Sequence, residues 1–340
     1  MSSYRPWGHI DWLLSRLPHA SWSLLGCCGT ESRSIALPCY FGRGRFDHAS
    51  LLAISDPDPL DEAAFSERLD LRRGQLTTAG FDSAEILDRN LLSGIDEIRS
   101  HVTNLADRGA TGLILDITSL PKLWFFPLVQ AALEEKRFAD VIVTYTSAIG
   151  YAEQLSENVA PLRVLPGFFA EDGRSRHDSL IVGIGFEPLS LVPLLSDQVS
   201  DRIRLIFPFP PGPPGHRRNW MFVKQIEDLT QSQQMLDPDR VHIHMYDCPQ
   251  VFDALVEMTS QGRLTSAIAP YGPKTVSLAM CMFALAIAEA GMPRVPVYYA
   301  QPLRYALDYT TGTGSVGEVP DCKGYCLRLR GRNLYNLGGQ

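Results

Sequence analysis

The 340-residue chain has no apolar run of the roughly 18–20 residues that span a bilayer. Its longest, Val276 to Ala288, is interrupted by Ser277 and stops at Glu289, so it reads as a buried helix and no membrane partner is expected. The amino-terminal stretch Met1-Ser-Ser-Tyr-Arg-Pro-Trp-Gly-His9 lacks the charged start and apolar core of a secretory leader, and a cytoplasmic location is expected. Excess positive charge is also missing: 31 Lys and Arg stand against 38 Asp and Glu, a formal charge of -7. That balance argues against direct binding of long nucleic acids, which needs a basic footprint, but leaves room for a local basic pocket for a small anion. The seven cysteines are odd in number and several sit in apolar runs, which points to reduced thiols. Cys322 and Cys326 have no second Cys/His pair beside them. His242 and His244 have no third ligand at useful spacing, so no metal is expected. There is no G-x-x-x-x-G-K-[ST] loop and no G-x-S-x-G elbow. Gly312-Thr-Gly-Ser-Val-Gly317 has G-x-G-x-x-G spacing in the wrong context for a dinucleotide fingerprint. None of these patterns calls for a cofactor.

What is present is an ordinary globular composition, 45% hydrophobic and 20% charged, with enough chain for two domains. The clearest pattern is a repeat. Leu24-Leu-Gly-Cys-Cys-Gly29-Thr-Glu31-Ser-Arg33-Ser34 corresponds to Leu180-Ile-Val-Gly-Ile-Gly185-Phe-Glu187-Pro-Leu-Ser190; both read as an apolar strand followed by G-x-E-x-x-S. Gly112-Leu-Ile-Leu-Asp116-Ile-Thr118-Ser119-Leu-Pro121-Lys122 corresponds to Ser266-Ala-Ile-Ala-Pro-Tyr271-Gly272-Pro273-Lys274, each a strand, a Pro-Lys turn and an apolar helix. Val141–Thr146 corresponds to Val295–Ala300, short β-branched and aromatic strands. The offsets are roughly 150–156 residues, the size of one domain.

Around these landmarks strands alternate with helices. Ala49–Ser55, Arg204–Phe209 and Val241–Tyr246 read as strands, and Ile86–Asp107 as one amphipathic helix stopped by Gly109. The expected fold is α/β: two tandem Rossmann-like domains with mainly parallel sheets, related by internal duplication. The first covers residues 1–160, a linker 161–178, the second 179–309 and a C-terminal extension 310–340. Pro208–Trp220, rich in Pro and Gly and carrying Arg217 and Arg218, reads as a loop or flap able to clamp an anion. The extension, basic at Arg328, Arg330 and Arg332, is expected to complete the second domain with a short strand.

Ligands of parallel α/β sheets bind beyond the carboxyl ends of the strands, where both repeated motifs fall. Helix starts there attract anions through unpaired N–H groups. In the first half the candidates are Gly29, Glu31, Arg33 and Ser34 with Asp116, Thr118, Ser119 and Lys122. In the second half they are Gly185, Glu187 and Ser190 with Tyr271, Gly272 and Lys274. Lys122 and Lys274 add full charges to the helix-start field. Glu31 and Glu187 suit a ribose hydroxyl or base N–H, or else complement a helix dipole. Asp116 is either a solitary ligand contact or an Asx-type turn former. No catalytic residue is identifiable. Three functions stay open: a nucleotide sensor or binder, a nucleotide-processing enzyme using Glu31, Glu187 or Asp116, and a non-catalytic scaffold.

The turn Tyr271-Gly272-Pro273-Lys274-Thr-Val-Ser-Leu-Ala279 is similar to the G-G-T-K-x-M turn of the CRISPR-associated Rossmann fold (CARF) family, with Pro in place of Thr; the first half has Ser119-Leu-Pro-Lys122 instead. Two such domains in one chain resemble the SAVED arrangement of bacterial defence proteins. The resemblance implies binding of cyclic or linear oligonucleotide messengers at the loops after the first and fourth strands. It also implies a protein partner that carries the effector activity.

Overall fold

The computed structural model describes residues 4–17, 21–57, 59, 61–170, 173, 176–196, 200, 202–210, 215–232 and 236–337. The chain folds as two compact units, Met1–Asn158 with Pro302–Leu334, and Val159–Gln301 with Tyr335–Gln340. The chain begins with β1 (Trp7–His9), α1 (Ile10–Arg16), β2 (Trp22–Cys27), α2 (Ala36–Phe41), β3 (Phe46–Ser55), α3 (Glu62–Thr78) and β4 (Ile86–Asn90). It continues with α4 (Ile95–Asp107), β5 (Gly112–Asp116), α5 (Lys122–Glu134), β6 (Asp140–Thr146), β7 (Ala148–Tyr151) and β8 (Ser156–Val159). The second unit contains β9 (Arg163–Val164), β10 (Ser179–Gly183), α6 (Leu191–Ser196), β11 (Ile203–Phe209), α7 (Gly215–Ser232) and β12 (Asp239–His244). It closes with α8 (Cys248–Met258), β13 (Ser266–Pro270), α9 (Lys274–Glu289) and β14 (Tyr298–Tyr299). The first unit then resumes with β15 (Pro302–Tyr305), β16 (Thr310–Thr313), β17 (Ser315–Val316), β18 (Val319–Pro320), β19 (Cys322–Leu329) and β20 (Arg332–Asn333).

The large sheet is ordered β1-β19-β6-β5-β2-β3-β4. Its strands β2 to β6 are parallel, and β19 and β1 add antiparallel. The second sheet, β12-β11-β10-β13, is parallel throughout. In both, the first strand of the parallel set lies between the second and the fourth, so the order reverses beside β2 and beside β10. Every residue of β2, β5, β6, β10 and β13 is buried. That matches their largely apolar sequences without polar alternation, because a sheet covered on both faces has no polar side to alternate with. No described helix is long and apolar enough to cross a membrane.

Three expectations change. Ile86–Asp107 is a strand and a helix, not one helix. Ile86–Asn90 pairs with β3 from Leu51↔Ile86 to Ser55↔Asn90. The helix starts only after Gly94, with Asp96 and Glu97 in its first turn favouring the dipole. A short edge strand with one buried residue leaves too weak a signal to separate from the helix behind it. Gly109, at φ 91°, does end the turn that follows this helix. The expected flap at Pro208–Trp220 is mostly not a loop: Pro208 and Phe209 end β11, residues 211–214 lie outside the described residues, and α7 begins at Gly215. Asn219, Phe222, Val223 and Ile226 repeat at helical spacing and are the buried stripe of that helix. The C-terminal extension puts β19 into the first unit's sheet, between β1 and β6, rather than completing the second.

One buried group makes the first unit pH-sensitive. His101 on α4 is buried, and its Nε2 accepts a hydrogen bond from Arg89 Nε at 3.0 Å. Burial, then the Arg89 charge, pushes its pKa down from 6.5 to about 4. The folded state thus holds the neutral ring, and its stabilisation is present above about pH 6.5 and lost as pH falls through 4. Chemical unfolding of the wild type should lose about 2 kcal/mol between pH 7 and 4 that His101→Gln does not lose. Equal losses in both proteins would refute this.

Candidate functional site

In each unit the turns after the first and fourth strands meet beside the point where the strand order reverses, the place where parallel α/β sheets bind ligands. In the first unit Ser34 closes the turn on itself. Its hydroxyl accepts from Gly29 N at 3.1 Å and donates to the Glu31 carbonyl at 2.7 Å. Arg33 is buried to 2% exposure, and its Nε donates to Glu31 Oε2 at 2.7 Å. Its Nη1 donates to the Tyr145 hydroxyl at 3.1 Å and the Thr146 carbonyl at 3.2 Å. The guanidinium also lies over the rings of Tyr145 and Tyr151, 5.5 and 6.0 Å from their centroids. Burial opposes its charge, but the Glu31 carboxylate and the two tyrosines outweigh burial and hold its pKa above the ordinary range.

Glu31 ties the two turns together. It accepts from Ser119 Oγ at 3.4 Å and from Thr310 Oγ1 on β16. The hydroxyls of Ser32 and Thr313 are 3.1 Å apart, so β16, paired with β7, rests on the turn after β2. Asp116 is the turn former: its Oδ1 accepts from Thr118 N at 3.1 Å and from the Thr118 hydroxyl. Thr118 Oγ1 in turn accepts from Thr146 N at 2.9 Å. Lys122 opens α5 behind Pro121, is only 9% exposed, and no side-chain cap closes that helix start among the described residues.

In the second unit the turns after β10 and β13 are in close backbone contact. A Cβ on Gly185 would sit 2.2 Å from the Tyr271 carbonyl oxygen, and one on Gly272 would sit 3.0 Å from the Ile184 carbonyl oxygen. Only glycine lets these two turns approach so far. Ser190 precedes α6 with φ 55°, so it does not repeat the role of Ser34. Glu187 Oε1 is 3.9 Å from Arg218 Nη2, and Arg218 lies 5.0 Å from the Phe186 ring centroid. Arg217 is exposed on α7. Lys274 opens α9 behind Pro273, again without a side-chain cap among the described residues. Tyr271 is buried with its ring 5.5 Å from that of Phe222 on α7, and burial raises its pKa well above 10. Its hydroxyl, and Asn219 Oδ1, have no hydrogen-bond partner among the described residues.

Sequence reasoning placed the motif residues on facing turns but missed Tyr145, Tyr151, Thr310, Thr313 and Asn219. Tyr145 was visible only as part of a repeated strand. Thr313 and Asn219 lay inside segments that were noticed for other reasons, and Tyr151 and Thr310 come from segments with no motif. Among the described residues no cluster of three or more His, Cys, Asp or Glu could hold a metal. His242 packs on Phe207 with centroids 4.9 Å apart.

No family model matches this chain, and no curated protein does. Among solved structures it is similar to an rRNA methyltransferase from Streptomyces viridochromogenes at 14% identity, over 46% of this chain and 75% of that one, with a TM-score of 0.22. It is similar to a sugar ABC transporter from Yersinia enterocolitica subsp. enterocolitica 8081 at 13% identity, over 85% and 68%, with a TM-score of 0.26. A functionally unknown protein from Pseudomonas aeruginosa PAO1 matches at 9% identity, over 82% and 92%, with a TM-score of 0.23. Likenesses this distant carry no functional argument.

Proposed function

We propose that this protein binds a small anionic nucleotide at the carboxyl ends of its parallel strands, as the sensing component of a bacterial antiphage defence system that acts with a partner effector. The observation that carries the binding step is the repeated helix start. In each unit a Lys opens the helix after the fourth strand, behind a Pro, with no side-chain cap among the described residues. Such a start offers backbone N–H groups and a full positive charge to a phosphate. The common strand order of the two sheets supports descent from one duplicated domain. The defence role and the partner rest on the likeness of Tyr271–Ala279 to the CARF turn.

A thermal-shift screen with nucleotides and cyclic oligonucleotides tests this reading. A ligand at a hundred times its Kd stabilises the folded state by about 2.7 kcal/mol. The shift should shrink in Lys122→Ala and Lys274→Ala, each compared with its own ligand-free melting temperature. No shift with any compound would sink the nucleotide reading.

A further inference from the structure

We infer that the second unit reads a nucleobase through Asn219 on α7 and Tyr271 in the turn after β13, with the phosphate held at the start of α9; this rests on the nucleotide-binding reading above. A buried polar atom without a partner costs stability, and native proteins retain few of them. Here two belong to one region. Tyr271 is 8% exposed and lies two residues before Pro273, the N-cap of α9. Asn219 is 1% exposed and lies three residues before Phe222, whose ring meets that of Tyr271. Residues three apart on a helix share a face; Asn219 and Phe222 are both buried on α7, and Phe222 meets the ring of Tyr271 in the turn after β13.

The rest of the region fits the same ligand. The turn after β10 reaches α7 through Glu187 and Arg218, the residue next to Asn219. Gly185 pins the Tyr271 backbone by allowing close approach, so the hydroxyl is held by the fold. The unpartnered hydroxyls of Ser179 and Ser266 are a different case: those residues face each other at the first positions of β10 and β13, the opposite end of the sheet. An amide oxygen accepts and a phenol donates or accepts. Together they complement an edge that carries a donor and an acceptor side by side, as nucleobases do. A bare phosphate or a sugar phosphate offers no such planar edge.

The test uses the full chain and six probes: AMP, GMP, CMP, UMP, ribose 5-phosphate and inorganic phosphate, measured by calorimetry and thermal shift. At least one nucleotide should bind tenfold or more tightly than ribose 5-phosphate. Tyr271→Phe removes only the hydroxyl. It should leave the ligand-free melting temperature unchanged or higher, weaken that nucleotide tenfold or more, and leave inorganic phosphate unaffected. Asn219→Leu, of similar size, should do the same. Nucleotides and ribose 5-phosphate binding equally in the wild type would overturn base reading while leaving anion binding intact. A lower ligand-free melting temperature in Tyr271→Phe with unchanged nucleotide affinity would assign the hydroxyl to the fold and overturn the inference. No binding of any probe by the wild type would overturn the nucleotide reading itself, and this inference with it.

Discussion

Arg328→Met is expected to destabilise the protein by about 3–5 kcal/mol, whereas Arg330→Met and Arg332→Met should each change stability by less than about 0.5 kcal/mol. Arg328 on β19 is 1% exposed. Its Nη1 donates to the carbonyls of Glu135 and Phe138 at 2.7 and 3.1 Å, and its Nη2 to that of Leu133. Its Nε donates to Asn333 Oδ1 at 2.9 Å. One guanidinium thus collects the carbonyls at and beyond the C-terminus of α5, where unpaired acceptors and the negative dipole end would otherwise be buried. Methionine fills comparable volume and donates nothing, so several carbonyls lose their partner at once. Arg330 and Arg332 are exposed. Chemical unfolding of the three variants decides the matter; three equal, small losses would show that the buried guanidinium is not what binds β19 to the rest of the first unit.

Gly185→Ala should cost about 2–3 kcal/mol, and Gly29→Ala, at the matching position of the first unit, less than about 1 kcal/mol. The added methyl of Gly185→Ala would fall 2.2 Å from the Tyr271 carbonyl oxygen and 2.8 Å from its carbonyl carbon. Both are backbone atoms, so no side chain can swing aside and the turn after β13 itself must move. At Gly29 the nearest atoms are the Cβ atoms of Ser119 and Ser34, each 3.6 Å away, an ordinary contact. Unfolding both variants measures the difference. Comparable losses would mean that the two turns are equally tight and that Gly185 has no special task. The Gly185→Ala loss should also come with weaker ligand binding, because the displaced turn carries both Tyr271 and Lys274.

The contrast between these glycines shows how far a shared motif reaches. G-x-E-x-x-S recurs in both halves, yet its parts are used differently. Ser34 closes its turn by hydrogen bonds, while Ser190 takes a left-handed backbone conformation. Glu31 pairs with Arg33 two residues on, while Glu187 meets Arg218 on another helix. The letters of the motif record the local path from strand to helix. They do not record what the rest of the chain lays over it.

Most of the strands and helices, and their alternation, were readable from the order of residues, because burial on both faces and helical periodicity leave their trace among near neighbours. The Pro-Lys helix starts were legible for the same reason. The flap expected at Pro208–Trp220 missed a helical spacing that was local; the other two errors fell where a decision depended on distant chain. Whether Ile86–Asn90 was strand or helix turned on β3 being available to pair with it. Whether the extension belonged to the first or second half turned on β6 offering an open edge to β19. Partners of charged groups were the least visible of all: Thr310 reaches Glu31 across 279 residues, and Arg328 reaches Leu133 across 195. Periodicity and capping act within a few residues of one another. Pairing of edges and neutralisation of buried charge are settled only when remote segments meet, and there only the folded chain decides.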